Sequence, residues 1–174
     1  MKAISSDLQQ HVSIRARVAF VLAVAEKVLP ALEKDGDALN AAAQALTDGW
    51  RWEEGEMISS LQLYEKDDEA LTLQGCLVKE KKALGAIMAA TSAFYYMLWH
   101  AYKLDLNRGH VRRGEIPNMG EVSEEVIDEV CQYAMQSTLC DEDWLNALTK
   151  RLVKDFRIDN PEELGAVVQR QYFR

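Results

Sequence analysis

Apolar side chains in this chain recur at helical rather than strand spacing. Val12, Ile14, Val18, Val21, Ala25, Val28 and Leu32 follow a period near 3.6, and no run of alternating β-branched residues extends beyond a few positions. This predicts an all-α fold. A first helix is expected from Asp7, a good N-cap, to about Leu29, where Pro30 ends or kinks it before Gly36 closes the segment. Asp37 is expected to cap a second helix with the apolar line Leu39, Ala43, Leu46 and Trp50. A turn or short helix is expected around ISSLQLY, followed by the acidic run EKDDEAL. A long central helix then starts between Asp68 and Leu77, covering about residues 73–102. Its seam, Leu84, Met88, Thr91, Tyr95, Leu98 and Tyr102, alternates steps of four and three.

Residues 105–121 contain three glycines and a proline and read as the longest loop. Ser123 is expected to cap a helix through Cys140, and Asp141 or Asp143 another to about Arg157. Asn160-Pro161-Glu162-Glu163 has the cap, first-turn proline and acid of a final helix start. With no repeat of fixed period and no linker, residues 1–174 read as a single all-α domain, a bundle of six or seven helices around a buried central helix.

Two stretches raise the question of a membrane. Residues 83–102 carry no formal charge and would span about 30 Å as a helix. Ten of these 20 residues are Ala, Gly, Ser, Thr or His, so burial among other helices is expected instead. Near the N-terminus, Lys2, Arg15 and Arg17 precede VAFVLAVA, and Ala23-Val24-Ala25 has the form of a signal cleavage site. The helical period runs through and beyond it, so this segment is expected to belong to the fold. Cys76, Cys131 and Cys140 are odd in number and have neither disulfide-framework nor zinc spacing, which points to a reduced, cytoplasmic protein with packed thiols.

Charge divides the chain unevenly. The formal net charge is −8, yet residues 48–69 carry −6, residues 70–120 carry +4 and residues 121–174 carry −6. An acidic balance argues against nucleic acid as a partner, since phosphate binding needs a basic surface. Acids at helix starts explain Glu124, Glu125, Glu162 and Glu163. They explain 48–69 less well, where acids flank tryptophan in DGWRWEEGE, and a patch of one sign favours a partner of the other.

Catalytic signatures are missing: there is no G-x-S-x-G, P-loop, G-x-G-x-x-G, H-E-x-x-H, EF-hand loop or E-x-x-H pair for a di-metal bundle. No catalytic residue, cofactor or metal is expected, and the protein is read as not an enzyme. His100 sits in an aromatic helix and reads as a hydrogen-bonded core residue. His110 with Arg108, Arg112 and Arg113 forms a basic loop that reads as solvated, with binding of a phosphate or carboxylate as the alternative.

The two tryptophans pose a geometric problem. Residues two apart on a helix point about 200° away from each other, so Trp50 and Trp52 cannot share one core face if the second helix continues through them. Trp50 extends the apolar line, leaving Trp52 to pack on another element or meet a partner. If Asp48-Gly49 instead ends the helix, both rings point the same way.

Several short patterns together resemble a known family. VAFVLAVAEKVLPAL at 18–32, ALTDGWRWEEGE at 45–56, LQLYE at 61–65, YYMLWHAY at 95–102 and IPNMGEVSEEVID at 116–128 resemble, in order and spacing, the all-α immunity proteins of bacterial polymorphic toxin systems, most closely the sixth immunity family. The resemblance covers about residues 12–157. It implies a cytoplasmic protein that binds a cognate secreted toxin and occludes it without catalysis or cofactor. A toxin domain with a basic binding face is the expected partner, with Trp52, Glu53, Glu54, Glu56, Asp67, Asp68 and Glu69 as candidate contacts. The alternatives are a helical adaptor or chaperone, or a small enzyme acting on a phosphorylated ligand through the His110 and arginine loop.

Overall fold

The structure, a computed structural model, describes residues 4–174. Among them are seven α-helices: α1 (Ile4–His11), α2 (Ile14–Val28), α3 (Gly36–Glu53), α4 (Ser60–Leu77), α5 (Lys81–Arg108), α6 (Glu125–Gln136) and α7 (Glu142–Asp155). Short 3-10 turns cover Leu29–Leu32 and Arg170–Phe173. The all-α expectation holds. Lys2, part of the signal-like pattern, lies outside the described residues. Val18–Ala25, its apolar stretch, is buried in α2. No helix among the described residues is long and apolar enough to cross a membrane.

The helix boundaries correct several expectations. The first helix is two helices, because Ser13 adopts an extended conformation and its hydroxyl accepts from the Ala16 amide, starting α2 afresh. The next two amides of α2 have no partner inside the helix. They donate instead to tail carbonyls, Ile14 to Glu163 at 3.0 Å and Arg15 to Leu164 at 2.9 Å. Pro30 ends α2 in a 3-10 turn as expected, but Asp35 rather than Asp37 caps α3. The segment from Ser59 is a full helix, held by a reciprocal capping box between Ser59 and Gln62.

The central helix begins at Lys81, capped by Glu80, because Val78 is extended and separates α4 from α5. It runs on to Arg108 and stops at Gly109 with φ +72°. Its core differs from the expected seam. Leu84, Met88, Thr91 and Tyr95 are only half-buried, whereas Ala86, Ile87, Ala89, Ala90, Ala93, Phe94, Tyr96 and Met97 are fully buried. The helix packs against α2, α3, α4 and α6, and the four half-buried seam positions lie on its least covered side, a line that continues to the half-buried Trp99 and the exposed Lys103. Its small residues allow close approach. A Cβ on Gly85 would meet the Tyr133 carbonyl oxygen at 2.7 Å and the Gln136 Cβ at 2.9 Å, on α6.

Ser123 does not cap α6. Glu124 takes that position, its side chain turned toward the core, and the helix ends at Gln136 rather than Cys140. Asp141 caps α7. The last expected helix does not form. Asn160 makes the cap-like turn, accepting from the Glu162 amide at 3.3 Å. The Glu163 and Leu164 carbonyls are already taken by α2, and Gly165 turns the chain away at φ +77°.

Gly85→Val should lower Tm by roughly 4 to 10 °C, the effect of overpacking by about 1–3 kcal/mol in a chain of this size. Gly36→Ala, where an added Cβ meets nothing within 4 Å, is the matched control and should leave Tm nearly unchanged; thermal denaturation compares the two.

Candidate functional site

The aromatic and acidic stretch occupies the C-terminal end of α3, the loop after it, and α4. Because α3 continues to Glu53, Trp50 and Trp52 do point to different surroundings, and both are buried. Trp50 donates its indole N–H to Glu26 of α2 at 2.9 Å and lies 5.6 Å from the Phe173 ring. Trp52 packs beneath the Arg15 guanidinium, 5.1 Å above the ring, so its partner is intramolecular.

Glu53 is wholly buried and not available at the surface. Its carboxyl accepts from the Val168 amide at 3.2 Å and lies 3.8 Å from Arg15. Burial nevertheless dominates and pushes its pKa up to about 8, despite Arg15 and the Val168 hydrogen bond. Arg15 also donates to the backbone carbonyl of Glu53. Beside Glu53, Glu54 is exposed and accepts from the Arg170 amide at 2.9 Å. The Arg170 guanidinium in turn grips Glu26 with contacts of 2.6 and 3.1 Å. Three acids, Glu26, Glu53 and Glu54, therefore fasten the C-terminal tail across α2 and α3.

A second buried pair joins α3 to α4. Asp67 is buried and hydrogen-bonds to Asp48, which is also buried. Burial, then the Asp48 charge, raises the Asp67 pKa to about 7. Burial acts in the same direction on Asp48, but hydrogen bonds from Lys66, Gln44 and Arg51 outweigh it and hold its carboxyl below the usual range. The Lys66 contact is 2.6 Å and the Arg51 contact 2.9 Å. Two carboxyls this close favour one shared proton.

Of the seven candidate contacts, Trp52, Glu53 and Asp67 thus face inward. Glu54, Glu56 and Glu69 are exposed, and Asp68 is half-buried, accepting from the Tyr95 hydroxyl. The fold also brings the acidic corner to the basic loop. Arg15, Trp52, Glu56, Met57, Arg108 and His110 all line one cleft of about 310 Å³, with His110 Nδ1 3.8 Å from Asp105. Arg112 and Arg113 are exposed and do not line it.

Sequence reading missed Arg15, Arg17 and Met57. A signal existed for the first two: arginines inside an apolar helical stretch are buried only when paired. Met57 is 99% exposed at the tip of the α3–α4 loop, which spacing alone does not show. His100 is in the core as expected, its ring 4.7 Å from Tyr96, but its Nε2 is buried without the expected hydrogen bond. Burial and the nearby Arg17 and Lys103 charges hold its pKa down at about 3, so it stays neutral. Burial raises the Cys131 and Cys140 thiols, the latter to about 11, which fits packing rather than reactivity; Cys76 is exposed. Among the described residues, no group of three or more His, Cys, Asp or Glu could hold a metal ion.

The arrangement is that of an all-helical recognition protein, with charged corners mounted on a tightly packed bundle. A family model described as Immunity protein Imm6 matches residues 16–137, which run from α2 to the residue after α6. The chain belongs to this family, and the family indicates an immunity protein directed against a toxin. The match is shorter than the 12–157 expected and leaves α1, α7 and the tail outside it. No curated protein and no solved structure matches the chain.

The raised pKa values of Glu53 and Asp67 mean that the folded state holds protons the unfolded chain releases near pH 4 to 5. Their stabilising contribution is present below that range and lost as pH rises through about 7 and about 8. Tm should therefore fall between about pH 6.5 and about pH 9, above the range in which the depressed pKa of His100 acts in the opposite direction, and Glu53→Gln, which stays neutral, should flatten the upper part of that fall. A wild-type Tm that is level or rises across this range would refute the assignment.

Proposed function

We propose that this immunity protein binds a cognate secreted toxin domain directly and occludes its working surface, acting in the cytoplasm of the producing cell as one domain, without catalysis, cofactor or nucleic acid. The observation that carries this reading is the acidic corner. Of the formal net −6 of residues 48–69, the buried Glu53 and Asp67 contribute little because their pKa values are raised, and Glu54, Glu69 and the Arg51-paired Glu56 are the candidate acids in solvent, with the half-buried Asp68 next to Glu69. Such a field attracts a basic binding face and speeds encounter with it.

Within this reading the seven candidate residues divide by role. Glu54, Glu56, Asp68 and Glu69 are the contacts, and Trp52, Glu53 and Asp67 hold the corner in shape from beneath. Arg108 and His110, across the cleft from Glu56, belong to the same surface. A mixed rim of this kind discriminates among related toxins, because a partner with the wrong charge over Arg108 is repelled.

The test uses a candidate cognate toxin domain, the C-terminal domain of a secreted protein found encoded next to this chain. Co-expression with the wild-type chain should restore growth of cells making that domain. Charge reversal at Glu56 and Glu69, neither of which fastens the tail, should slow association about tenfold or more at low salt, reduce its salt sensitivity and change Tm little. Unaltered association kinetics would remove the corner from the interface, while absence of rescue by the wild-type chain would remove the proposed function.

A further inference from the structure

Helix α4 has its apolar residues on both sides. Toward the core it buries Ser60, Leu63, Asp67 and Leu71, two of them polar. Toward solvent, Gln62, Glu65, Glu69, Leu73, Cys76 and Leu77 are all exposed, and at 100° per residue they fall within one arc of about 120°. This outer face is polar and acidic in its N-terminal half and apolar in its C-terminal half. Leu73 is 53% exposed and Leu77 57%. The large exposed hydrophobics among the described residues are these two, Met57 at the head of the helix, and Leu139. Leu77 and Leu139 line a single groove of about 830 Å³ where α4 ends, floored by Ala31 and Val78.

We propose that this outer face of α4, with the Leu77–Leu139 groove, is the apolar anchor of the toxin interface. Its occupant is a toxin segment that places a bulky apolar side chain in the groove and basic residues over Glu65 and Glu69. The inference rests on the toxin-binding reading above and specifies which surface supplies tight binding. Charge defines the occupant. The groove rim carries Lys34, Lys79 and Lys82 against Glu33, Asp35 and Glu80, an even balance, and Lys66, on the same arc of α4, is held by the buried Asp48 at 2.6 Å, so the field of this face is set by Glu65 and Glu69.

A second copy of this chain fits poorly. Parallel pairing of two α4 helices sets acid against acid, and antiparallel pairing sets Glu65 and Glu69 against the partner's leucines, which strips the carboxylates of water while Lys66, the cation on this arc, is already held by Asp48. A partner that is apolar at one end and basic at the other meets neither penalty. Acids at the corner govern encounter, whereas a filled apolar groove governs how long the complex lasts.

The exposed Cys76 lies on this face, while Cys131 and Cys140 are buried with raised pKa values, so a maleimide probe reports selectively on Cys76. Binding of the toxin domain that this chain neutralises in the co-expression test should protect Cys76 from labelling. Leu73→Ser combined with Leu77→Ser, which leaves the charge of the face unchanged, should raise the dissociation rate about tenfold or more with little change in association rate or Tm, since both side chains are exposed in the free protein. Glu65→Lys combined with Glu69→Lys should slow association instead. Wild-type binding with Cys76 still fully reactive, or with the double leucine variant dissociating at the wild-type rate, would overturn the anchor and leave the function standing. A wild-type chain that dimerises through this face, the leucine variant being monomeric and fully protective, would overturn it equally. Failure of the wild-type chain to bind would instead remove the toxin-binding reading itself.

Discussion

A guanidinium cannot be buried in a small bundle unless its charge and its donors are met, and Arg17 is 1% exposed. It donates to the carbonyls of Val12 and Pro161, each at 3.1 Å, and its Nε lies 3.2 Å from the Glu124 carboxylate. Glu124 also accepts from the Tyr96 hydroxyl at 2.6 Å. One side chain of α2 thereby fixes the break after α1, the path of the tail, the start of α6 and the middle of α5. Removing either member of the Arg17–Glu124 pair would strand a charge among apolar neighbours, which costs far more than the pair contributes when intact. The charged corner stands on this arrangement, because α3 and α4 lean on the same α5.

The periodic parts of the chain were legible in advance. The helical class and the core role of Trp50 follow from spacing, and the burial of the 83–102 segment from its composition, although spacing chose Tyr95 rather than Tyr96 for the core side of that helix. What spacing could not supply was competition between distant segments. The Asn160-Pro161 signal is a genuine helix start, yet its carbonyls serve α2, and no local pattern reveals that demand. Ser13 was passed over because the apolar period runs across it without interruption, although a hydroxyl there is a ready cap. Val78, a residue that suits extended backbone, is where α4 and α5 part, and the neutral run beginning at Ala83 hid the fact that two helices meet there.

The candidate site was half legible for a related reason. Composition located the acidic segment, but it treats every carboxylate as solvated. Burial of Glu53 and of the Asp48–Asp67 pair depends on Arg15, Lys66 and the Val168 amide, two of which lie far away in sequence. The side of α4 that meets water was equally hidden, because a helix with leucines on both faces has no periodic contrast from which to choose. An apolar face left uncovered at a standing cost is better explained by a partner than by folding.

The tail beyond α7 lies outside the stretch that defines the family, yet it completes the core of that stretch. It supplies the carbonyls that satisfy the first amides of α2, the amide that meets Glu53, the Arg170 clamp on Glu26 and the Phe173 ring against Trp50. The unit that relatives share and the unit that folds are therefore different lengths of chain. A fragment trimmed to residues 16–137 would lack Ser13, the cap of α2, and would open Trp50 and Glu53 to water. Lineages that exchange their C-terminal segments must exchange matching residues on α2 and α3 with them.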